Sequence, residues 1–280
     1  MSDTPPRKKF IPRVLSGAAV AIGVVLLKLK GLVAALLVNP FEGFGVAQYA
    51  IAGGSMLVTV GAYIWQRQPL GLVIGFVLIT FIHEVGHAVV IRAKGLRAGF
   101  MVFIPFVGGA VTLKDQPRSA YDDAQIGLAG PFFGTAASLV ALQIFKWNAN
   151  PLYLVIAFAG FILNLINLVP LGMLDGGRIS AAVTKWMWVF GGGVLVYQTI
   201  KRPNPLMIVI LVLAVFQVYA SIVREKDDAK FYDVTLGQRA AIAVFYFALV
   251  AFLSHQAYRA FDRLTSPAGV RGARSGFLIR

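Results

Sequence analysis

Two histidines and a glutamate stand within five positions of an otherwise apolar run, LGLVIGFVLITFIHEVGHAVVI at 70–91. On a helix, His83 and His87 lie one turn apart on the same face, so both imidazoles can reach one ion. Glu84 projects about 100° further round, off the line of that ligand pair but within reach of a water beside it. HExxH at this spacing offers two metal ligands and a general base for hydrolysis. Chance places such a motif in a chain of this size at on the order of 1%. The apolar setting lowers the odds further, because a charge at the centre of a bilayer helix costs at least ~2.5–3.5 kcal/mol.

A hydrolytic zinc site takes three protein ligands and keeps one position open. The remaining histidine, His255, lies in SHQAYR at the end of an apolar stretch and reads as a boundary residue. Of the twelve Asp and Glu, only Glu84 and Asp175 are embedded in strongly apolar segments. Asp175 belongs to NLVPLGMLDGG at 167–177, where Pro170 and the glycines break a helix and can aim a carboxylate into a cavity. Asp175 is therefore the expected third ligand. The alternative is that it caps a helix starting near Gly176. Two imidazoles and one carboxylate favour Zn2+, one per chain, over softer or harder ions.

The elements that must hold these residues are membrane helices. The chain has 280 residues, 58% hydrophobic and 14% charged, with mean hydropathy +0.75. A soluble domain carries roughly 25% charge, and several windows reach the ~20 apolar residues needed to cross a bilayer. The expectation is an all-α polytopic membrane protein with roughly six to eight transmembrane helices. Spans are predicted at 46–65, 70–92, 124–145, 151–169, 186–200, 205–223 and 240–257. Residues 14–38, interrupted by Lys28 and Lys30, form either one tilted span or an interfacial helix. Around Gly108–Gly109 the run FMVFIPFVGGAV is too short and too broken to span, and its β-branched and aromatic content predicts a hairpin over 98–114. Non-helical backbone at membrane depth must be buried in protein or line a cavity, so this hairpin should lie near the site. The layout is a tail and anchor over 1–45, a catalytic core over 46–180, C-terminal helices over 181–258 and a basic tail over 259–280. The triplet Gly191–Gly193 suggests either a bend or close helix packing.

A net charge of +14 would suit nucleic acid, but the cations sit at span boundaries and in the tails, where head groups place them. No basic stretch is interleaved with aromatics, and nucleic acid is excluded as a partner. With no cysteine, disulfides, thiol catalysis and Cys-ligated metals are excluded. MSDTPPRKKFIPRVLSG starts like a signal sequence, but no small-residue cleavage site follows promptly, which favours a retained anchor.

HEVGH at 83–87, followed by the Asn167, Pro170 and LDGG pattern, resembles the site-2 proteases, zinc enzymes that cleave substrates within the membrane. FIPFVGGAV at 103–111 is similar to that family's membrane-associated hairpin. GLAGP at 127–131 is similar to its glycine-proline entry to the next helix; the Asn that often follows is replaced here by Gly134. The resemblance covers roughly residues 60–180; members of that family often carry a PDZ or CBS domain, no stretch here has room for either, and the expectation is a minimal form. Carried over, it implies that His83, His87 and Asp175 bind zinc, that Glu84 activates water, and that Asn167 helps hold the substrate backbone or the oxyanion. An Asn in a span can equally serve interhelical hydrogen bonding.

The function expected is an intramembrane zinc endopeptidase acting on transmembrane protein substrates in the lipid bilayer. Two other classes place ionisable groups in a membrane. A proton- or metal-coupled transporter predicts paired broken helices in two related halves, whereas one break and no repeat are found. A non-proteolytic binding module would be expected to lack Glu84 or a ligand, and none is missing. Arg92, Lys94, Arg97, Lys114 and Arg118 between the HExxH helix and the next span favour a site near the cytoplasmic face of the cytoplasmic membrane.

Overall fold

In the computed structural model, residues 45–106, 108–171, 174–184, 186–201 and 230–266 are described, together with single positions between 208 and 219. All of them lie in the unit Gly43–Arg280. The predicted anchor at 14–38 and the span at 205–223 fall largely outside the described residues.

Among the described residues the order is α1 (Val46–Trp65), α2 (Leu70–Ala93), β1 (Ala98–Ile104), β2 (Gly108–Leu113), α3 (Ala120–Asn148), α4 (Pro151–Asn167), α5 (Asp175–Val183), α6 (Trp186–Lys201) and α7 (Leu236–Thr265). Local signals account for many of these ends. Pro69 precedes α2 and cannot extend a helix backwards, while Gly95, two residues past α2, takes φ 71°. Ser119 accepts from the Asp122 amide to cap α3, and Asn150 accepts from the Leu152 amide to cap α4. Thr235 and Gln238 form a capping box at the start of α7.

Three of these helices, α2, α3 and α7, are long and apolar enough to cross a membrane, and α4 is a shorter apolar helix of the same character. Among the described residues, helices form at the predicted positions 46–65, 70–92, 124–145, 151–169, 186–200 and 240–257, but several ends move, and these helices do not establish the expected six to eight spans. α3 starts at Ala120 rather than 124, so GLAGP is no entry to the helix: it occupies the third and fourth turns, with Pro131 inside. The missing amide of Pro131 deprives only the carbonyl of Gly127 of an intrahelical donor. α7 runs to Thr265, so the basic tail expected from 259 begins as two further helical turns. Of the glycine triplet, Gly191 packs on the Pro170 carbonyl, whereas no described residue lies near a Cβ at Gly192 or Gly193. Close packing therefore explains one of the three.

Apolar side chains gain little from helix association when the alternative is lipid, so packing and interhelical hydrogen bonds must hold such a bundle together. The contacts fit that requirement. A Cβ at Gly86 would sit 2.7 Å from the Ala129 carbonyl, and one at Gly75 would strike Ile156. Gly160 accommodates Ser138 and Ile79 in the same way. Phe161, Ala157, Ile179 and Leu253 have no accessible surface in the resulting core.

The predicted hairpin forms as an antiparallel pair, with Ile104 opposite Gly108, Met101 opposite Val111 and a bulge between Ala98 and Met101. Its outer β1 edge is tied to α1: the Phe103 amide donates to Ser55 Oγ at 3.1 Å, and Thr59 Oγ1 donates to the Phe103 carbonyl at 3.2 Å. At its base, the Arg97 guanidinium and backbone amide both donate to Asp115.

Candidate active site

The i, i+4 spacing on α2 puts both imidazoles on the bundle side, as expected; His83, Glu84 and His87 are all buried. Asp175 reaches them from the first turn of α5. The three Nε2 and carboxylate positions form a tight triangle. His83 Nε2 lies 3.1 Å from Asp175 Oδ2, His87 Nε2 lies 3.2 Å from Asp175 Oδ1, and the two Nε2 atoms are 3.2 Å apart. A tetrahedral zinc with bonds of ~2.0–2.1 Å separates its donors by about 3.3 Å. Asp175 spends its carboxylate on the histidines, so the capping alternative is not what is observed. His255 is exposed on α7 and stands apart from the group.

The outer nitrogens explain why this triangle suits a cation. His87 Nδ1 lies 2.8 Å from the Ile126 carbonyl, which can only accept, so Nδ1 carries the hydrogen. His83 Nδ1 lies 2.8 Å from Asn164 Oδ1. The other end of that amide, Nδ2, donates to the Gly160 carbonyl at 2.7 Å, which orients the oxygen towards His83. In the neutral form each ring therefore carries its hydrogen on Nδ1, and the Nε2 lone pairs face each other and a carboxylate. Three electron-rich groups at this separation repel unless a cation lies among them. The donor set fits Zn2+, with His83, His87 and Asp175 as the group able to hold an ion.

Glu84 stands beside the triangle, 3% exposed, and its Oε2 is the one buried side-chain polar atom among the described residues without a partner. The Val111 backbone hydrogen-bonds its carboxylate. β2 crosses directly over it: a Cβ at Gly109 would lie 2.5–2.8 Å from Oε1, Cγ and Cδ of Glu84. Gly130 on α3 plays the equivalent part on the other side, where a side chain would overlap both imidazole rings.

The LDGG segment is held from three directions. Tyr246 on α7 donates to the Leu168 carbonyl at 2.8 Å, and Trp188 on α6 donates to the Gly177 carbonyl at 3.1 Å. Arg178, one turn after Asp175, donates from Nε and Nη2 to Asp123 Oδ1 at 2.9 and 2.6 Å. Gly176 lies against the Leu168 and Val169 carbonyls, where no side chain fits.

Asn167 is the last residue of α4; it is half-buried, and its Nδ2 donates to the Leu163 carbonyl of its own helix at 3.1 Å. The asparagine beside the histidines is Asn164, which sequence reading passed over. Its signal was present, as a second carboxamide in an apolar helix. Gly134 makes room for it, since a Cβ there would lie 2.7 Å from Asn164 Nδ2.

Fold and site together define a helical protein with membrane-length helices around a buried centre of two histidines and one carboxylate, flanked by a free carboxylate oxygen. Residues 71–146 match the model of Peptidase family M50, the site-2 protease family, and the resemblance carried by HEVGH and its companions is borne out. The chain is 28% identical over 135 residues to a zinc metalloprotease of Methanocaldococcus jannaschii, covering 46% of this chain and 39% of that one. It is 25% identical over 151 residues to a probable chloroplastic zinc metalloprotease of Arabidopsis thaliana, covering 38% of this chain and 27% of that one. The matched stretch thus spans well under half the length of these relatives. The family match contains His83, Glu84 and His87 and ends before Asn164 and Asp175, whose assignment rests on the geometry above.

Proposed function

We propose that the protein is an intramembrane zinc endopeptidase that hydrolyses peptide bonds within or near transmembrane segments of protein substrates. The observation that carries this reading is the buried triangle of His83, His87 and Asp175 with the unpartnered Oε2 of Glu84 beside it. Helices of membrane length surround that group.

Zinc, when bound, would polarise the scissile carbonyl and lower the pKa of a water toward ~7. His83, His87 and Asp175 would hold it, and the partners of the two rings, Asn164 and Ile126, keep the hydrogen on Nδ1 so that Nε2 is the nitrogen offered to the metal. Glu84 accepts the proton of the attacking water at Oε2 and passes it to the leaving amine nitrogen. The Val111 backbone and the close cover of Gly109 hold that carboxylate in place and shield it from bulk water.

A helical substrate hides its peptide bonds in hydrogen bonds and must unwind locally before cleavage. β1 is occupied on its outer side by Ser55 and Thr59, while β2 is the strand beside Glu84. That arrangement supports edge pairing of an unwound substrate with β2. For Asn167, at the end of α4, the family resemblance implies a part in holding the substrate backbone or the oxyanion. The bilayer is the working environment. The cationic segment between α2 and α3 favours a site near the cytoplasmic face of the cytoplasmic membrane.

The test is metal analysis of the full chain in detergent with cleavage of a synthetic transmembrane peptide, for wild type and Glu84→Gln. About one zinc per chain in both, with cleavage in wild type alone, is expected. Active intact protein without zinc would overturn the reading.

A further inference from the structure

The end of the bundle away from the hairpin carries a second feature. Ile126, whose carbonyl holds His87, and Lys146 lie on the same helix α3, about 30 Å apart along its axis at 1.5 Å per residue. There Lys146 and Leu142 face Gln256, Arg259, Ala260 and Arg263 of α7 across a cavity of about 160 Å³. The α7 residues recur at i, i+3, i+4 and i+7, which places them on one helical face.

Three cations therefore converge on one hollow. The ion pairs of lysine and arginine among the described residues engage Lys94, Arg97 and Arg178 instead. Asp262, the acid nearest in sequence, does not line the cavity. Arg259 and Arg263 form an i, i+4 like-charge pair, which is destabilising on its own, and Lys146 adds to it from the facing helix. Cations at helix C-termini do complement the helix dipole. That benefit falls off within the last turn and does not require them to share a cavity with a glutamine amide.

The depth of the cavity says what could fill it. α3 and α7 are both long and apolar enough to span a membrane, and the cations follow directly on their apolar stretches. Trp147 and Tyr258 flank them at 77% and 70% exposure, as aromatic residues do at the level of lipid head groups. Leu142 and Ala260 give the hollow an apolar floor, both being buried.

We propose that this cavity binds the phosphate of an anionic phospholipid head group. Lys146, Arg259 and Arg263 supply the charge, and Gln256 supplies an amide donor. Basic pockets between membrane helices recognise such head groups. The site is independent of the zinc centre and rests only on α3 and α7 being membrane spans.

The test uses the full chain, delipidated in detergent and titrated with phosphatidylglycerol, phosphatidylcholine or inorganic phosphate while the thermal midpoint is followed. Phosphatidylglycerol is expected to raise the midpoint of the wild type. Its apparent affinity should fall about fivefold for each cation removed in Lys146→Gln, Arg263→Gln and the triple variant with Arg259→Gln. Lys230→Gln, in a distant loop, should leave it unchanged, and the single variants decide the matter if the triple variant does not fold. An equal rise in wild type and variants, or an equal rise with phosphatidylcholine, would overturn the proposal. Stabilisation by inorganic phosphate at the same concentration would also sink it, in favour of a free-anion site.

Discussion

The carboxamide of Asn164 decides which nitrogen of His83 faces His87 and Asp175. Anchored through Nδ2 to the Gly160 carbonyl and seated against Gly134, it presents Oδ1 to His83 Nδ1 at 2.8 Å. Removing it leaves the ring free to take the other tautomer or to rotate. Partners of this kind are worth 10–100-fold in metal affinity. Asn164→Ala should weaken zinc binding by that range, read by chelator competition, whereas Asn164→Asp should retain tight binding because the carboxylate oxygen can still accept. Equal affinity in all three proteins would refute the role.

Glu84 is buried without being a ligand. Its replacement by Gln keeps the shape and removes the base, so metal content should stay at wild-type level while cleavage falls by at least about 100-fold. Asp175→Ala should behave in the opposite order, losing metal first and activity as a consequence.

Gly109 leaves no space for a side chain over the Glu84 carboxylate. Gly109→Ala must push β2 or Glu84 aside by a few tenths of an ångström or more. Cleavage should drop while zinc stays bound. A proline at Val111 removes the backbone donor to Glu84 and breaks the strand, and it should be more damaging still. Undiminished cleavage in the proline variant would remove β2 from the mechanism.

The clasp at the base of the hairpin gives a pH dependence. The Arg97 side-chain hydrogen bonds, followed by its backbone amide, hold the Asp115 carboxyl down to about 2, against a usual 3.8. A depressed carboxyl contributes stability that is fully present above pH 3.8 and is lost as pH falls through about 2. Hydrogen exchange of the β1 and β2 amides should therefore accelerate as pH falls through this window, relative to the intrinsic rate. The acceleration should be absent in Asp115→Asn.

Arg178 ties the turn that carries Asp175 to α3 through Asp123, with both side chains about one-fifth exposed. A double-mutant cycle with Arg178→Met and Asp123→Asn should give a coupling of about 1 kcal/mol. Arg178→Met alone should also weaken zinc binding, because Asp175 sits one turn away on the same helix. Zero coupling would show that the backbone contacts of Gly176 and Tyr246 suffice to place α5.

The sequence by itself determined the parts of this protein that depend on short-range spacing. His83 and His87 share a face because four residues make just over one helical turn. The limits of α1 and α2 follow from apolar runs ending at Pro69 and at a cluster of basic residues. The hairpin follows from β-branched and aromatic residues around Gly108 and Gly109. Asp175 stood out because a carboxylate in an apolar, helix-breaking segment is costly to keep there. Tertiary structure alone decided what depends on two elements meeting. Asn164 and Asn167 lie three residues apart, about 60° round α4, and an all-apolar helix has no polar face to show which one turns inward. The crossing of α4 against α2 and α3, set by Gly134 and Gly160, points Asn164 at His83. The meeting of the Ile126 carbonyl with His87 Nδ1 and the passage of Gly109 over Glu84 arise in the same way. Glycine in a sequence records that space is needed, and only the packed neighbour reveals for what.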